Sequence, residues 1–228
     1  MCGRYYLKSP PAKVGAHFGV DVRDNFPPRY NISPTQPIAT VRQSERRTAE
    51  YALMRWGFIP SWAKDEFLQK LTQRPMINAR SETAGEKASF KNAYRRRRCL
   101  IPADGFYEWK ADVKGAKQPH AISSGGGDVI AFAGLWETAM DPDGGEIDTV
   151  AILTTSAGTD LKSIHAREPV VIAPENYDLW LEADERDIKS ITPLLKSAAP
   201  NSWSIHAVSK AVNAPVNDGP ELIEPLAA

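Results

Sequence analysis

The chain has 228 residues, 42% of them hydrophobic, and its 28 Lys and Arg residues are balanced by 28 Asp and Glu. It is long enough to bury a sizeable core in one large domain or two small ones, and it carries no strong overall field, so any nucleic-acid or phosphate partner is held by a local patch. Two cysteines exclude a disulfide framework, no secretory segment opens the chain, and no apolar run approaches the roughly 18 residues of a membrane span. The expectation is a soluble protein of a reducing compartment, cytoplasmic or nuclear, without a membrane partner.

Gly3 to Leu7 reads as a strand beginning close to the terminus, and Ala12 to Phe18 as a short helix with Val14 and Phe18 on one face. Pro27 to Pro34 is too rich in proline for a regular element. Paired strands are predicted at Ile38 to Arg42 and Glu50 to Trp56, then a loop from Gly57 to Trp62 and a polar stretch with room for a short helix. Ile77-Asn78-Ala79-Arg80 precedes a predicted helix from about Glu86 to Arg96, and Cys99 lies inside an apolar strand. Alternation over 105–110 puts Phe106, Glu108 and Lys110 on one face and Tyr107 and Trp109 on the other. Strands follow at Gln118 to Ser123, Val129 to Trp136 and Thr149 to Thr155, the first two joined across Gly125-Gly126-Gly127. Helices over about 175–182 and 185–197, a strand near 204–208 and a loop-like tail complete the chain. Strand follows strand without the long crossovers of a parallel sheet, which predicts an α+β fold whose sheet is mixed and largely antiparallel.

Several residues carry chemistry beside a plainer structural reading. Once Met1 is removed, Cys2 becomes a 1,2-aminothiol, whose amine titrates near ~7.7–8.0 and whose thiol titrates near ~8.5. Amine and thiol can attack one aldehyde in turn, giving a Schiff base and then a thiazolidine ring; otherwise Cys2 is a small residue in a frayed terminus. Trp62 is core edge or a stacking platform. Lys91 and Arg95 to Arg98 form a solvated face or a phosphate contact. Glu108, hemmed in by aromatics, is a rim carboxylate or a general acid–base group. His165 stands in a loop ahead of an apolar run. Four dispersed histidines and two distant cysteines offer no metal-ligand spacing, so neither a metal nor another cofactor is expected.

Cys2, Asn78, Glu108 and His165 are spread over most of the chain, and spacing alone does not bring them together. Six ordered motifs do relate them: Met1-Cys2-Gly3-Arg4, Arg29 to Pro34, Trp56 to Pro60, Asn78 to Thr83, Arg98 to Trp109, and Ile164-His165 with Arg167 and Pro169. Together they resemble the SRAP family, the SOS-response-associated peptidases regarded as abasic-site processing proteins. The resemblance implies a single SRAP-like domain over 1–228, with a barrel-like β core, short flanking helices and a tail at about 210–228 packed on it. It implies a sensor of abasic sites in single-stranded DNA or at single-strand/duplex junctions, cytoplasmic and nucleoid-associated when acting, and monomeric. By position, Cys2 is then the covalent nucleophile, Asn78 holds the reacting residue and opened sugar, Glu108 shuttles protons, and His165 assists Schiff-base formation and reversal. Weak strand cleavage from the same Schiff base and self-removal of Met1 are further implied activities. Arg4, Asn31, Arg80 and Arg98 become backbone contacts, and Pro34 and Trp62 wedge or stack on flanking bases.

Three positions depart from the family pattern: Ala166 and Glu168 after the histidine, and Ala63 after Trp62. Glu168 is expected to place a carboxylate near the phosphate-binding cleft. Two rivals remain at this level, a thiol peptidase using Cys, His and Asn, and a single-stranded DNA-binding module without chemistry.

Overall fold

The computed structural model describes residues 2–140, 144–196 and 202–226, excluding the side chains of Asp65 and Thr72. In chain order the strands are β1 (Tyr5–Leu7), β2 (Arg29–Ile32), β3 (Pro37–Gln43), β4 (Ala49–Trp56), β5 (Asn78–Arg80), β6 (Arg98–Ala103), β7 (Gly105–Ala111), β8 (Lys117–Ser124), β9 (Ile130–Met140), β10 (Glu146–Ser156), β11 (Arg167–Pro169), β12 (Val171–Ile172) and β13 (Trp203–Ala207). Between them lie short helices, α1 (Pro11–Phe18), α2 (Asp65–Gln73), α3 (Ser81–Ala84), α4 (Lys91–Arg96) and α5 (Tyr177–Glu182). Among the described residues no helix is long and apolar enough to cross a membrane.

Two sheets share these strands. One runs β10-β4-β3-β6-β9, and the pairing of β9 with β10 closes it into a five-stranded barrel. All its pairings are antiparallel except β4 with β10, where Arg55 and Trp56 lie beside Thr149 and Val150. The second sheet, β13-β8-β7-β1-β2, is antiparallel throughout. This is the mixed, largely antiparallel and barrel-like α+β architecture expected.

The main core fills the barrel and the space between the sheets. Tyr5 of β1 meets Trp56 and Phe132 of the barrel edge-on, with ring centroids at 5.5 and 5.9 Å, and Phe106 of β7 meets Phe132 in the same way. Such pairs contribute about 0.5–1.5 kcal/mol each beyond their burial, so the strand that follows Cys2 is fastened to the barrel. Inside the barrel β6 and β9 approach so closely that a Cβ at Gly134 would stand 2.6 Å from the Cys99 sulfur. The other face of the second sheet carries Tyr6, Tyr107 and Ala121, which the tail covers through Val208, Val212 and Leu222.

Local signals account for the elements read correctly. Pro11 opens α1 at a position where its missing N–H costs nothing, and Gly19 ends it in the left-handed region at φ 66°. Four sequence expectations change, the first being that the helix expected over about 185–197 forms only a 3-10 helix, Ile188–Leu195, with Pro193 inside it. Arg29–Ile32 forms strand β2, because after Pro28 each residue can pair and the exposed N–H of Tyr30 and the N–H of Asn31 both donate to Asp218 Oδ1 at 2.5 and 2.7 Å. The helix expected from Glu86 to Arg96 is only α4, preceded by turns after α3. Strands β8 and β9 are not a hairpin: β8 joins β7 and β13 while β9 enters the barrel, so the glycine run carries the chain from one sheet to the other.

Candidate active site

The site is built at the seam between the two sheets. Cys2, just before β1, is fully buried, and its sulfur lies 4.0 Å from the Arg4 carbonyl oxygen. Burial pushes the thiol pKa strongly upward, and the Glu108 carboxylate adds to that push. At neutral pH the sulfur therefore rests as a thiol. From the barrel side, the short parallel pairing of β5 with β10 sets Asn78 beside Ile152. Its Nδ2 donates to the Cys2 carbonyl at 2.8 Å, while among the described residues its buried Oδ1 accepts no hydrogen bond.

Strand alternation on β7 turns Glu108 inward with Phe106, and only 4% of the residue is exposed. His165 closes the group from the loop ahead of β11, its Nδ1 3.8 Å from Glu108 Oε1. The same Nδ1 stands 3.0 Å from both the backbone N–H and the carbonyl oxygen of Arg167. It can accept from the one when neutral and donate to the other when protonated, so the ring is held in both states. Cys2, Asn78, Glu108 and His165 thus lie together.

Arg167 and Glu82 were not singled out as site residues, although both stand in the quoted motifs. Arg167 grips Glu82 through two parallel bonds of 2.5 and 2.9 Å and reaches the Thr154 carbonyl, which fastens the His165 loop to α3 and β10. No local signal marks this pair, since the two residues are distant in sequence.

The residues expected on DNA divide into two groups. Trp62 is 48% exposed and stacks on Phe67 at 5.2 Å and 12°, Arg80 is exposed at the end of β5, and Pro34 is half-buried at the turn after β2. Arg4, Asn31 and Arg98 are engaged inside the protein. Arg4 Nη1 donates to Asn31 Oδ1 and to the Val212 carbonyl, both at 2.7 Å, and burial lowers its pKa. Asn31 Nδ2 donates to the carbonyls of Val212, Ala214 and Asn217. This pair ties the tail to β1 and β2.

Arg98 is 3% exposed, and its guanidinium donates to the carbonyls of Tyr94, Arg95, Trp180 and Ala183. It collects the orphan carbonyls at the ends of α4 and α5, and desolvation lowers its pKa to about 10. Its placement is structural, contrary to the expected DNA contact. The rest of the arginine run is also divided: Arg96 pairs with Glu185 and Arg97 with Glu137, while Arg95 is exposed. Glu168 is likewise corrected. It is buried and its Oε2 accepts the Gly158 N–H at 3.0 Å, well inside the fold rather than in an open cleft.

A groove of about 1020 Å³ opens elsewhere, lined by Arg42, Glu50, Leu53, Arg97, Trp136 and Asp148 among others. Arg42 lies 4.6 Å over the Trp136 ring and bonds to Glu50 and Asp148, so its charge is already matched. The groove flanks the first residues of β10, whereas Asn78 pairs with its later half. It is separate from the Cys2 site.

The chain is 38% identical over 227 residues to the abasic site processing protein YoqW of Bacillus subtilis, covering 98% of this chain and 99% of that protein. It is 29% identical over 233 residues to the abasic site processing protein YedK of Escherichia coli, covering 99% and 100%. A crystallised protein from Bacteroides thetaiotaomicron shares the fold with a TM-score of 0.85 at 22% identity, covering 99% of this chain and 100% of that one. A phage-related protein from Bordetella bronchiseptica superposes with a TM-score of 0.72 at 29% identity, covering 92% and 95%. The family model for the SOS response associated peptidase matches residues 1–215, and the chain belongs to the SOS response associated peptidase (SRAP) family.

Proposed function

We propose that this protein senses and processes abasic sites in DNA by trapping the aldehyde of the opened sugar on Cys2. The supporting observation is the convergence at one seam of a buried thiol, the Asn78 amide on its backbone carbonyl, and the Glu108 and His165 pair. The names of the relatives point to the same substrate.

Removal of Met1 frees the α-amine of Cys2. The amine adds to the sugar aldehyde carbon to give a carbinolamine. Protonation of its hydroxyl, by Glu108 or by protonated His165, releases water and leaves a protonated imine that keeps its N–H. Because burial holds the sulfur as a thiol, ring closure needs a base, and the Glu108 carboxylate takes the S–H proton as sulfur bonds to the imine carbon. Nitrogen already carries its proton and becomes neutral as the ring closes, so aminothiol plus aldehyde become a thiazolidine plus water. Asn78 fixes the Cys2 backbone throughout, and its Oδ1, which accepts no hydrogen bond among the described residues, is available to a sugar hydroxyl. Reversal runs the same steps backward. The imine also acidifies the adjoining sugar carbon, which gives weak strand cleavage by β-elimination as a side reaction.

The preferred substrate is single-stranded DNA or a single-strand/duplex junction, held by Arg80 and by stacking on Trp62, and the working unit is a monomer, cytoplasmic and at the nucleoid when acting. Self-removal of Met1 is the one peptide cleavage assigned to the site. The test is incubation with single-stranded DNA bearing one abasic site, followed by denaturing electrophoresis. A resistant adduct is expected, absent for Cys2→Ala and for undamaged DNA. Equal adduct from Cys2→Ala sinks the proposal; binding without any adduct favours a non-covalent module.

A further inference from the structure

The hairpin between β7 and β8 lies just beyond the site on the strand that carries Glu108. Its loop is shaped from within. Asp112 N–H donates to the Ala116 carbonyl at 2.8 Å, and Gly115 N–H to the Asp112 carbonyl at 3.0 Å. Asp112 Oδ1 accepts the backbone N–H groups of Lys114 and Ala116 at 2.8 and 2.9 Å. Gly115 sits at φ 85°, the left-handed position that a three-residue hairpin loop requires. The one carboxylate of the loop is thereby turned to its own backbone. Lys110, Lys114 and Lys117 all point into solvent, and none has an ion pair among the described residues. Between them Val113 is fully exposed, a β-branched side chain that no described residue covers.

The base of the hairpin is rigid, because Trp109 Nε1 donates to Asn213 Oδ1 at 2.8 Å and Gln118 Nε2 to the Val208 carbonyl at 2.7 Å. Register completes the placement. Glu108 pairs with His120 and Lys110 with Gln118, and alternation puts Lys110 on the Glu108 face. At ~3.4 Å per residue, Lys110 is roughly 7 Å beyond Glu108 and the loop tip is about 15–20 Å beyond it. Duplex DNA advances ~3.4 Å per base pair, so that reach corresponds to about four to six nucleotides from a lesion held at Cys2.

We propose that Lys110, on the Glu108 face, and Lys114, at the tip, form a second contact with the phosphate backbone of DNA flanking the lesion, a handhold away from the reacting sugar; Lys117 pairs with Ala111 and lies on the opposite face. This rests on the reading of the protein as a processor of abasic DNA. A cation on a rigid hairpin gains affinity by releasing counterions and takes no part in bond making. Capture at saturating DNA is therefore unaffected by the loop.

The experiment measures non-covalent binding of the full chain to single-stranded and junction DNA bearing one central abasic site as a function of salt, with and without Lys110→Ala/Lys114→Ala in a Cys2→Ala background that cannot crosslink, and adduct yield for the same pair with Cys2 intact. Each DNA is prepared with flanks of about 3 and about 12 nucleotides on either side of the central position, bracketing the reach estimated above. On long flanks the double variant is expected to lose about 1.4–1.8 in the slope of log K against log salt, from ~0.7–0.9 for each of two contacts. On short flanks it should match its Cys2→Ala parent. Adduct yield on abasic DNA at saturation should be the same for both proteins. Lys114→Glu alone should lower affinity on long flanks further than Lys114→Ala. Equal slopes on long flanks overturn the proposal, as does a loss that is the same on short flanks. If wild type binds and the hairpin lysines matter but no abasic adduct forms, the functional reading fails instead.

Discussion

Cys2 and Cys99 are equally buried, and burial drives both thiol pKa values upward, yet their surroundings are opposite in kind. The Cys99 sulfur faces the Gly134 backbone inside the barrel, and its carbonyl accepts a hydrogen bond from the Trp180 indole at 2.8 Å. Cys2 has a carboxylate acting on its thiol and a carboxamide on its carbonyl, with an imidazole next to that carboxylate. Burial alone therefore does not separate a structural thiol from a reactive one. What separates them is whether the neighbourhood can accept and return protons.

The sharpest way to break this contrast is to remove each sulfur in turn. Cys2→Ala should abolish the adduct, and Cys99→Ala should leave its rate within about twofold, since the two environments share no group. Loss of the adduct in a folded Cys99→Ala protein would show that the barrel thiol is not a bystander. Replacing Glu108 by Gln keeps the shape but removes the base, and should slow capture by about 10²–10⁴. It should also shift the pH dependence of Cys2 alkylation to lower pH, because the carboxylate raises the thiol pKa. An unmoved alkylation profile would remove Glu108 from the mechanism. Asn78→Ala deletes one hydrogen bond worth ~1–3 kcal/mol, an expected loss of about 5- to 150-fold in rate, to be read by single-turnover quench.

The smallest effect concerns stability. Each buried thiol keeps its proton in the folded state above ~8.5, where the unfolded chain releases it. That stabilisation is whole below pH ~8.5 and is lost as pH rises, by up to about 1.4 kcal/mol per pH unit for each thiol. Denaturant unfolding between pH 8 and 10 should give a shallower decline for Cys99→Ala than for wild type. Identical declines would mean that Cys99 ionises freely in the folded protein.

Sequence patterns disclosed the fold where the signal was local. Period-two alternation and turn residues located β3, β4, β7, β9 and β10, and the Pro11 and Gly19 pair bounded α1. They failed where a partner lies far away in the chain. Strand β2 is stabilised by Asp218, and Asn31 is saturated by carbonyls after residue 211. Arg98 looked like the end of a basic run, but the carbonyls of Trp180 and Ala183 draw it inward. The four site residues were legible only as successive motifs of a family, because no spacing rule connects a terminal cysteine with a histidine beyond position 160. Their juxtaposition follows from two short pairings, β1 with β7 and β5 with β10.

The parallel pairing of β4 with β10 has a consequence for when the protein becomes competent. It joins Arg55 to Thr149, and β5 can dock on β10 only once that strand exists. Contacts of such long sequence separation form late, since loop closure must precede their reward. During synthesis Cys2 therefore waits without Asn78, Glu108 and His165 in place until most of the chain has emerged. On the proposed reading, aldehyde capture is then a property of the finished molecule, and a truncated or misfolded copy carries Cys2 without the groups proposed to direct it.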